Sequence, residues 1–189
     1  MNTTKLFGTG IIATFALATT LLLTPALAQT ETPDTGTRMS QFMTQLQGAW
    51  SATGMVTFYN PYGASQKLRY SMDMSVYPTQ DSTWQATMQT VTENGELRRN
   101  NVEFKIQGER LFIGDNFARE AVELLDSSPT KLAYRITRID HAGHEIHYVF
   151  QSEINEHGTL IGHNQIETQD GVIQEDDFIA KQVQGTPLE

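Results

Sequence analysis

The chain has 189 residues, with 13 Lys and Arg against 22 Asp and Glu, five His and no cysteine. The acidic balance disfavours nucleic acid and anionic lipid as partners, and the missing thiols exclude a disulfide framework and any thiolate metal centre. A single domain of ordinary size, held by its core alone, is the expectation.

Residues 1–28 read as a secretory signal peptide. Lys5 is their only charged side chain, Ile11 to Leu23 is apolar apart from threonines, and Pro25 interrupts the run. Ala26-Leu27-Ala28 then supplies the small-x-small pattern of a cleavage site. As a helix, the apolar run would span only about 20 Å, short of the roughly 30 Å hydrocarbon core of a bilayer. An uncleaved anchor is the competing reading. No cysteine follows the run to carry a lipid. Cleavage after Ala28 implies a periplasmic or secreted protein with no membrane span. Its mature chain begins at Gln29 and keeps 12 basic against 22 acidic side chains, since Lys5 leaves with the leader.

Residues 29–36, rich in Thr, Pro and Asp, read as a flexible leader. Met39, Phe42, Met43 and Leu46 follow at i, i+3, i+4 and i+7, one apolar stripe on a helix over 37–47. So short a helix must dock on something to persist.

After Gly48 the period changes from 3.6 to 2. Leu68, Tyr70, Met72, Met74 and Val76 alternate without error with Lys67, Arg69, Ser71, Asp73 and Ser75, as a strand with one wet face does. The same alternation runs through Trp50-Ala52-Gly54-Val56-Phe58, Trp84-Ala86-Met88, Val102-Phe104-Ile106, Leu132-Tyr134-Ile136 and Ile146-Tyr148-Phe150. Two more polar strands are expected near 159–168 and 172–183. Turn residues such as Asn60-Pro61-Tyr62-Gly63, Asn94-Gly95, Gln107-Gly108 and Gln169-Asp170-Gly171 separate the runs. The links are too short for parallel crossovers. The fold class is therefore all-β, an antiparallel up-and-down meander of about eight to ten strands over 37–184, with 185–189 as a tail. Its apolar face is buried either by closure into a barrel or by packing on a second sheet.

Parity constrains the hairpins. Facing Leu160 and Ile166 the same way as Ile146, Tyr148 and Phe150 requires a three-residue loop, Glu156-His157-Gly158, with Gly158 left-handed. A two-residue turn at Asn94-Gly95 would set Trp84 opposite Lys105, so a three-residue loop or a bulge near Glu96 is expected there. The segment from Asp115 to Asp126 fits a helix, through Phe117, Ala121, Val122, Leu124 and Leu125, as well as it fits a strand.

Gly48-Ala49-Trp50, just after a short helix and opening the first strand, resembles the Gly-x-Trp start of calycin-type barrels: lipocalins, fatty-acid-binding proteins and nitrobindin-like proteins. The resemblance implies a barrel of about 140 residues in which Trp50 packs at the closed end under a basic side chain of the last strand, here Lys181. Gly48, Trp50 and Gly54 also resemble the Gly-x-Trp-x-Gly-x-Gly of nitrobindin-like haem proteins, with Ala52 in place of the middle glycine. Those proteins use an axial His near the carboxyl end; the last strand here has none. No cofactor is expected.

The inward stripe carries the main functional reading. Trp50, Phe58, Tyr70, Met72, Met74, Trp84, Met88, Phe104, Tyr134, Tyr148 and Phe150 would line a cavity for an apolar ligand, methionine adapting its shape and aromatics offering flat faces. The same stripe could equally be a filled core. His144 and His147 would pair on a helix but point to opposite sides of a strand. A surface cluster of His147, His163 and Glu167 is conceivable, yet no metal site is expected. Asp170, Glu175, Asp176 and Asp177 read as a solvated strand edge, except that Asp176 shares the parity of Phe178 and would face inward. There is no Gly-x-Ser-x-Gly and no phosphate-cradling loop, hence no catalytic residue and no enzyme is expected. The reading that follows is an exported protein sequestering or carrying an apolar or amphiphilic small molecule. A non-enzymatic interaction module with a filled barrel is the alternative, its protein partner unknown.

Overall fold

The computed structural model describes residues 33–60, 62, 65–114 and 119–183. The expected signal peptide, most of the leader and the tail lie outside the described residues. Among those described are one helix, α1 (Thr35–Leu46), and eleven strands: β1 (Gly48–Tyr59), β2 (Ser65–Gln80), β3 (Thr83–Thr92), β4 (Leu97–Gln107), β5 (Arg110–Gly114), β6 (Arg119–Ala121), β7 (Glu123–Ser128), β8 (Lys131–Ile139), β9 (Glu145–Ile154), β10 (Thr159–Thr168) and β11 (Gly171–Gln182). No described helix is long and apolar enough to cross a membrane.

All eleven strands form one antiparallel sheet in the order β6-β5-β4-β3-β2-β1-β11-β10-β9-β8-β7. Chain neighbours pair throughout except β6 and β7, which are the two edges of the sheet, and β1 pairs with β11 from Trp50–Gln182 to Phe58–Gln174. The segment 119–128 nearly closes the ring: β6 pairs with β5, β7 pairs with β8, and between them the Val122 N–H donates to the Leu111 carbonyl at 3.0 Å. This segment is extended from Arg119 onward, which resolves the helix-or-strand ambiguity for 119–126; residues 115–118 lie outside the described residues. Its change of partner at Val122 makes two strands of one and brings the count above the expected eight to ten.

Both tested hairpins take three-residue loops. The Thr92 N–H donates to the Glu96 carbonyl, with Gly95 left-handed at φ 83°. The Asn155 N–H donates to the Thr159 carbonyl, with Gly158 at φ 71°. Trp84 therefore faces Phe104, and Leu160 faces Ile154. Pro78, which has no N–H to give the ladder, sits where the β2–β3 register shifts.

Helix α1 starts before the first apolar position of its stripe because Asp34 caps it, its carboxylate accepting from the Thr37 N–H at 2.8 Å and the Thr37 hydroxyl at 3.1 Å. Gly36 lets the first turn press on the β4–β5 turn: a Cβ there would stand 2.2 Å from the Gly108 carbonyl oxygen. Met39, Phe42, Met43 and Leu46 are buried and join Trp50, Met74, Val76, Trp84, Ile106, Leu111, Leu132 and Leu160 in one core. Each such side chain contributes roughly 1.5–3 kcal/mol by leaving water. The Trp50 indole N–H donates to the Leu46 carbonyl at 2.8 Å, tying the helix end to β1. Gln45 and Gln182 add 2.9 and 3.0 Å bonds to the Pro129 and Gln47 carbonyls. The helix thus stoppers the barrel end where β1 begins and β11 finishes.

If the stopper closes this end, Phe42→Ala, at a site only 1% exposed, will cost about 3–5 kcal/mol of unfolding free energy in a urea titration.

Candidate functional site

Cross-strand register puts the stripe on one face. Trp50 lies opposite Met74, Ala52 opposite Met72 and Gly54 opposite Tyr70; Met74 also faces Met88. Trp84 faces Phe104, and Tyr134 faces Phe150 while Ile136 faces Tyr148. The Tyr134 and Phe150 rings stack with centroids 5.0 Å apart. Ten of the eleven residues singled out in the sequence thus converge inside the barrel. Phe58 has the same parity but stands at the strand end between Gln66 and Gln174 and is 38% exposed, so it belongs to the rim.

The interior changes character along its axis. Toward the helix, the inward side chains of Trp50, Val76, Trp84, Leu111, Leu132, Leu160 and Ala180 are all buried. Toward the other end, Tyr70, Met88, Ile136, Tyr148, Phe150, Asn164 and Phe178 face inward yet are only partly buried. Inward parity combined with solvent access marks this half, the cup, as the open end of the barrel. An opening of about 660 Å³ lies against its β8–β9 wall, lined by Ile136, Arg138, Ile146, Tyr148 and Phe150, with Ile139, Asp140 and His141 at the lip.

Two glycines shape the opposite wall. Tyr70 lies across β1 over Gly54, where a Cβ would meet its ring at 2.3 Å; Phe178 lies over Gly162, where a Cβ would meet its ring at 2.0 Å. Both rings are laid along the wall instead of standing into the lumen. Folded this way, Tyr70 donates its hydroxyl to Asp176 Oδ1 at 2.6 Å, and the Asn164 amide donates to Oδ2 at 3.2 Å. Burial raises the Asp176 carboxyl above its ordinary value, with the two hydrogen bonds opposing in part. Burial, followed by the bond to Asp176, raises the Tyr70 phenol well above its own. Nearer the lip Arg138 pairs with Glu120 at 2.6 Å.

The other sequence candidates point elsewhere. Glu175 and Asp177 face outward. Tyr59 donates to Glu175 and holds its carboxyl below the usual range, while Asp177 lies 2.6 Å from His163 Nδ1. Only Asp176 of the acidic run turns inward. His147 is opposite Glu167, as the register requires, but its Nδ1 is 3.0 Å from the Thr137 hydroxyl, and His144 leans on Asp140. Among the described residues no three His, Asp or Glu converge as metal ligands. Lys181 does not cover Trp50: it pairs with Ser51 and is exposed on the outer face, and the residue opposite Trp50 is Gln182. One step of strand parity separates the two positions. A larger depression of about 970 Å³ runs between the outer face of α1, at Thr37, Ser40, Gln41, Thr44 and Gln45, and the turns carrying Ser82, Gly108 and Pro129, with Ile106 in its wall.

Asn164, Glu120, Arg138 and Phe178 were not among the residues singled out in the sequence. The parity of Leu160 and Ile166 already places Asn164 inside; its polarity hid it. Glycine at the inward positions 54 and 162 was the readable sign of rings lying flat.

No protein-family model matches the sequence, and no curated protein matches it. Solved structures are similar in shape. An S-type phycobiliprotein lyase, CPES from Guillardia theta, superposes with a TM-score of 0.56 at 10% identity, over 80% of this chain and 97% of that one. Two further structures match with lower scores, the second of them a redesigned beta barrel. EF1p2_mFAP2b bound to DFHBI has a TM-score of 0.42 at 14% identity, over 77% of this chain and 99% of its own. mFAP1 bound to DFHBI has 0.35 at 14%, over 75% and 99%. At these identities the likeness to the lyase concerns the fold alone.

Two outcomes check this wall. Gly162→Ala will cost about 1–3 kcal/mol from overpacking, and a double-mutant cycle will show that cost shrinking in a Phe178→Leu background. A carboxyl raised by folding favours the fold when protonated, so ionised Asp176 weakens the fold at neutral pH, and the penalty fades as pH falls through its elevated pKa toward 3.8. In urea titrations Asp176→Asn will match or exceed the parent at neutral pH, and its advantage will narrow on acidification.

Proposed function

We propose that the domain is an exported, non-catalytic binding protein that sequesters or carries a small apolar or amphiphilic molecule in the open half of a calycin-like barrel. The observation that carries this reading is the set of inward-facing apolar side chains, Met88, Ile136, Tyr148, Phe150 and Phe178, that the barrel leaves within reach of solvent. A ligand burying about 300 Å² of apolar surface there would gain on the order of 7 kcal/mol before ordering costs. The rim supports entry from this end: Phe58, Tyr59, Tyr62, Val91, Leu97, Ile139 and Ile173 are large exposed apolar residues on the four hairpins β1–β2, β3–β4, β8–β9 and β10–β11. The same rim favours a second reading, a protein-interaction module. Export rests on Ile11 to Leu23 and Ala26-Leu27-Ala28.

Binding is tested with Nile red, a neutral apolar dye. It will bind saturably at one site, Tyr148→Glu will weaken it at least about tenfold, and Ile161→Glu, on the exposed outer face of β10, will leave it unchanged. An unmoved Tyr148→Glu, or no saturable binding, overturns the carrier reading. Protein purified from its own host will have an intact mass starting at Gln29 and, in a native mass spectrum, a reproducible small-molecule adduct. A mass retaining residues 1–28 overturns export, and a clean apo mass with a co-purifying protein supports the module.

A further inference from the structure

Among the described residues, three carboxylates border the cup, and Asp140, at its lip, is occupied by the Ala142 and His144 N–H groups and the His144 ring. Glu120 is paired with Arg138. Asp176 accepts hydrogen bonds from neutral groups alone, Tyr70 and Asn164, and no Lys, Arg or His forms an ion pair with it. His163, the nearest basic side chain in the register, is on the outer face and engaged by Asp177.

Hydrogen-bond counting sharpens the point. The Tyr70 hydroxyl proton is spent on Oδ1 and one Asn164 amide proton on Oδ2. The remaining capacity of the three groups is the lone pairs of the carboxylate, the phenol oxygen and the Asn164 carbonyl, against a single amide N–H. The patch is an acceptor surface whose carboxylate has no ion-pair partner, His163 acting on it only from the outer face. Its neighbours are mostly apolar or aromatic: Val56 is opposite Asp176, Phe150 is opposite Asn164, and Phe178 is the next inward position of β11, with Gln174 the inward position on the other side. Aromatic faces add to the attraction for a cation held in such a site. The remaining walls of the cup, at Ile136, Tyr148 and Phe150, are suited to a hydrocarbon or ring system.

We propose that the Asp176–Tyr70–Asn164 wall selects a basic nitrogen, so that the ligand class is an amphiphilic amine, its ammonium group against Asp176 and its apolar body along the β8–β9 wall. This rests on the carrier reading and adds the head group to it. The anionic surface of the whole protein attracts cations without discrimination, which makes an outer-face control essential. Asp177→Asn removes the same charge from the other side of the same strand.

The test is displacement of Nile red by dodecylamine, dodecanol and dodecanoate, each below its micellar concentration at neutral pH. Dodecylamine will displace at a concentration at least about tenfold lower than dodecanol, and dodecanoate will be the weakest. Asp176→Asn will bring dodecylamine level with dodecanol without harming dodecanol binding, while Asp177→Asn will keep the preference. If dodecanol binds and dodecylamine shows no advantage, or Asp176→Asn retains the advantage, the head-group assignment is overturned and the carrier reading stands. If neither dodecanol nor Nile red binds, the carrier reading falls and takes this assignment with it. Should Asp176→Asn fail to fold, Tyr70→Phe decides: freeing Oδ1 will increase the amine preference, and a preference unchanged or lost there overturns the assignment.

Discussion

A barrel has two ends, and the packing of α1 into one of them makes those ends unlike. Met39, Phe42, Met43 and Leu46 fill the space between the strand starts and finishes at that end, and the Trp50 indole bonded to the Leu46 carbonyl fixes how deep the helix sits. The rest of the architecture takes its polarity from this contact. Side chains of the same parity on the same strands are mostly sealed near the helix and more often reachable by solvent away from it, as with Met74 against Tyr70 on β2 and Tyr134 against Ile136 on β8. A β-strand cannot impose that difference, because its alternation is uniform along its length. The helix supplies the asymmetry, and the strands carry it.

At the open end the lumen depends on where rings lie. Tyr70 and Phe178 are large enough to obstruct the cup if they stood upright. Glycine on the adjacent strand, at 54 and 162, gives each ring a place against the wall. The same arrangement carries the Tyr70 hydroxyl across β1 to Asp176 on β11, spanning three neighbouring strands with one side chain and one hydrogen bond. Structure and chemistry meet here: the glycine that keeps the wall thin also positions the donor on the inward carboxylate. Burial then disfavours ionisation while the hydrogen bonds favour it, leaving Asp176 distinct from Glu175 and Asp177, which alternate to the solvated face.

The likeness to a phycobiliprotein lyase at 10% identity shows how loosely such a barrel constrains its residues. A closed antiparallel sheet needs alternation, turn residues and a stopper, and many sequences meet those demands. What the cup would hold is therefore decided by few positions: the aromatic wall of β8 and β9, the acceptor patch on β2, β10 and β11, and the apolar lip.

Much of this was legible in the residues before any coordinates. The switch from period 3.6 to period 2 after Gly48 separates α1 from the meander, and parity alone called for the loop at Gly158, excluded a two-residue turn at Asn94-Gly95 in favour of a longer loop or a bulge, and sent Asp176 inward. Those features depend on local sterics and on sorting apolar from polar positions, which neighbouring residues encode. Tertiary structure decided the rest. Segment 119–128 is extended because β5 and β8 both present edges that only this segment reaches, a long-range condition absent from its own helix-compatible spacing. Lys181 lies outside because pairing with β1 sets Gln182, not Lys181, opposite Trp50. How the interior is divided between the helix end and the open end turned on α1, Gly54 and Gly162, because volume is a property of elements packed in three dimensions, not of any one strand.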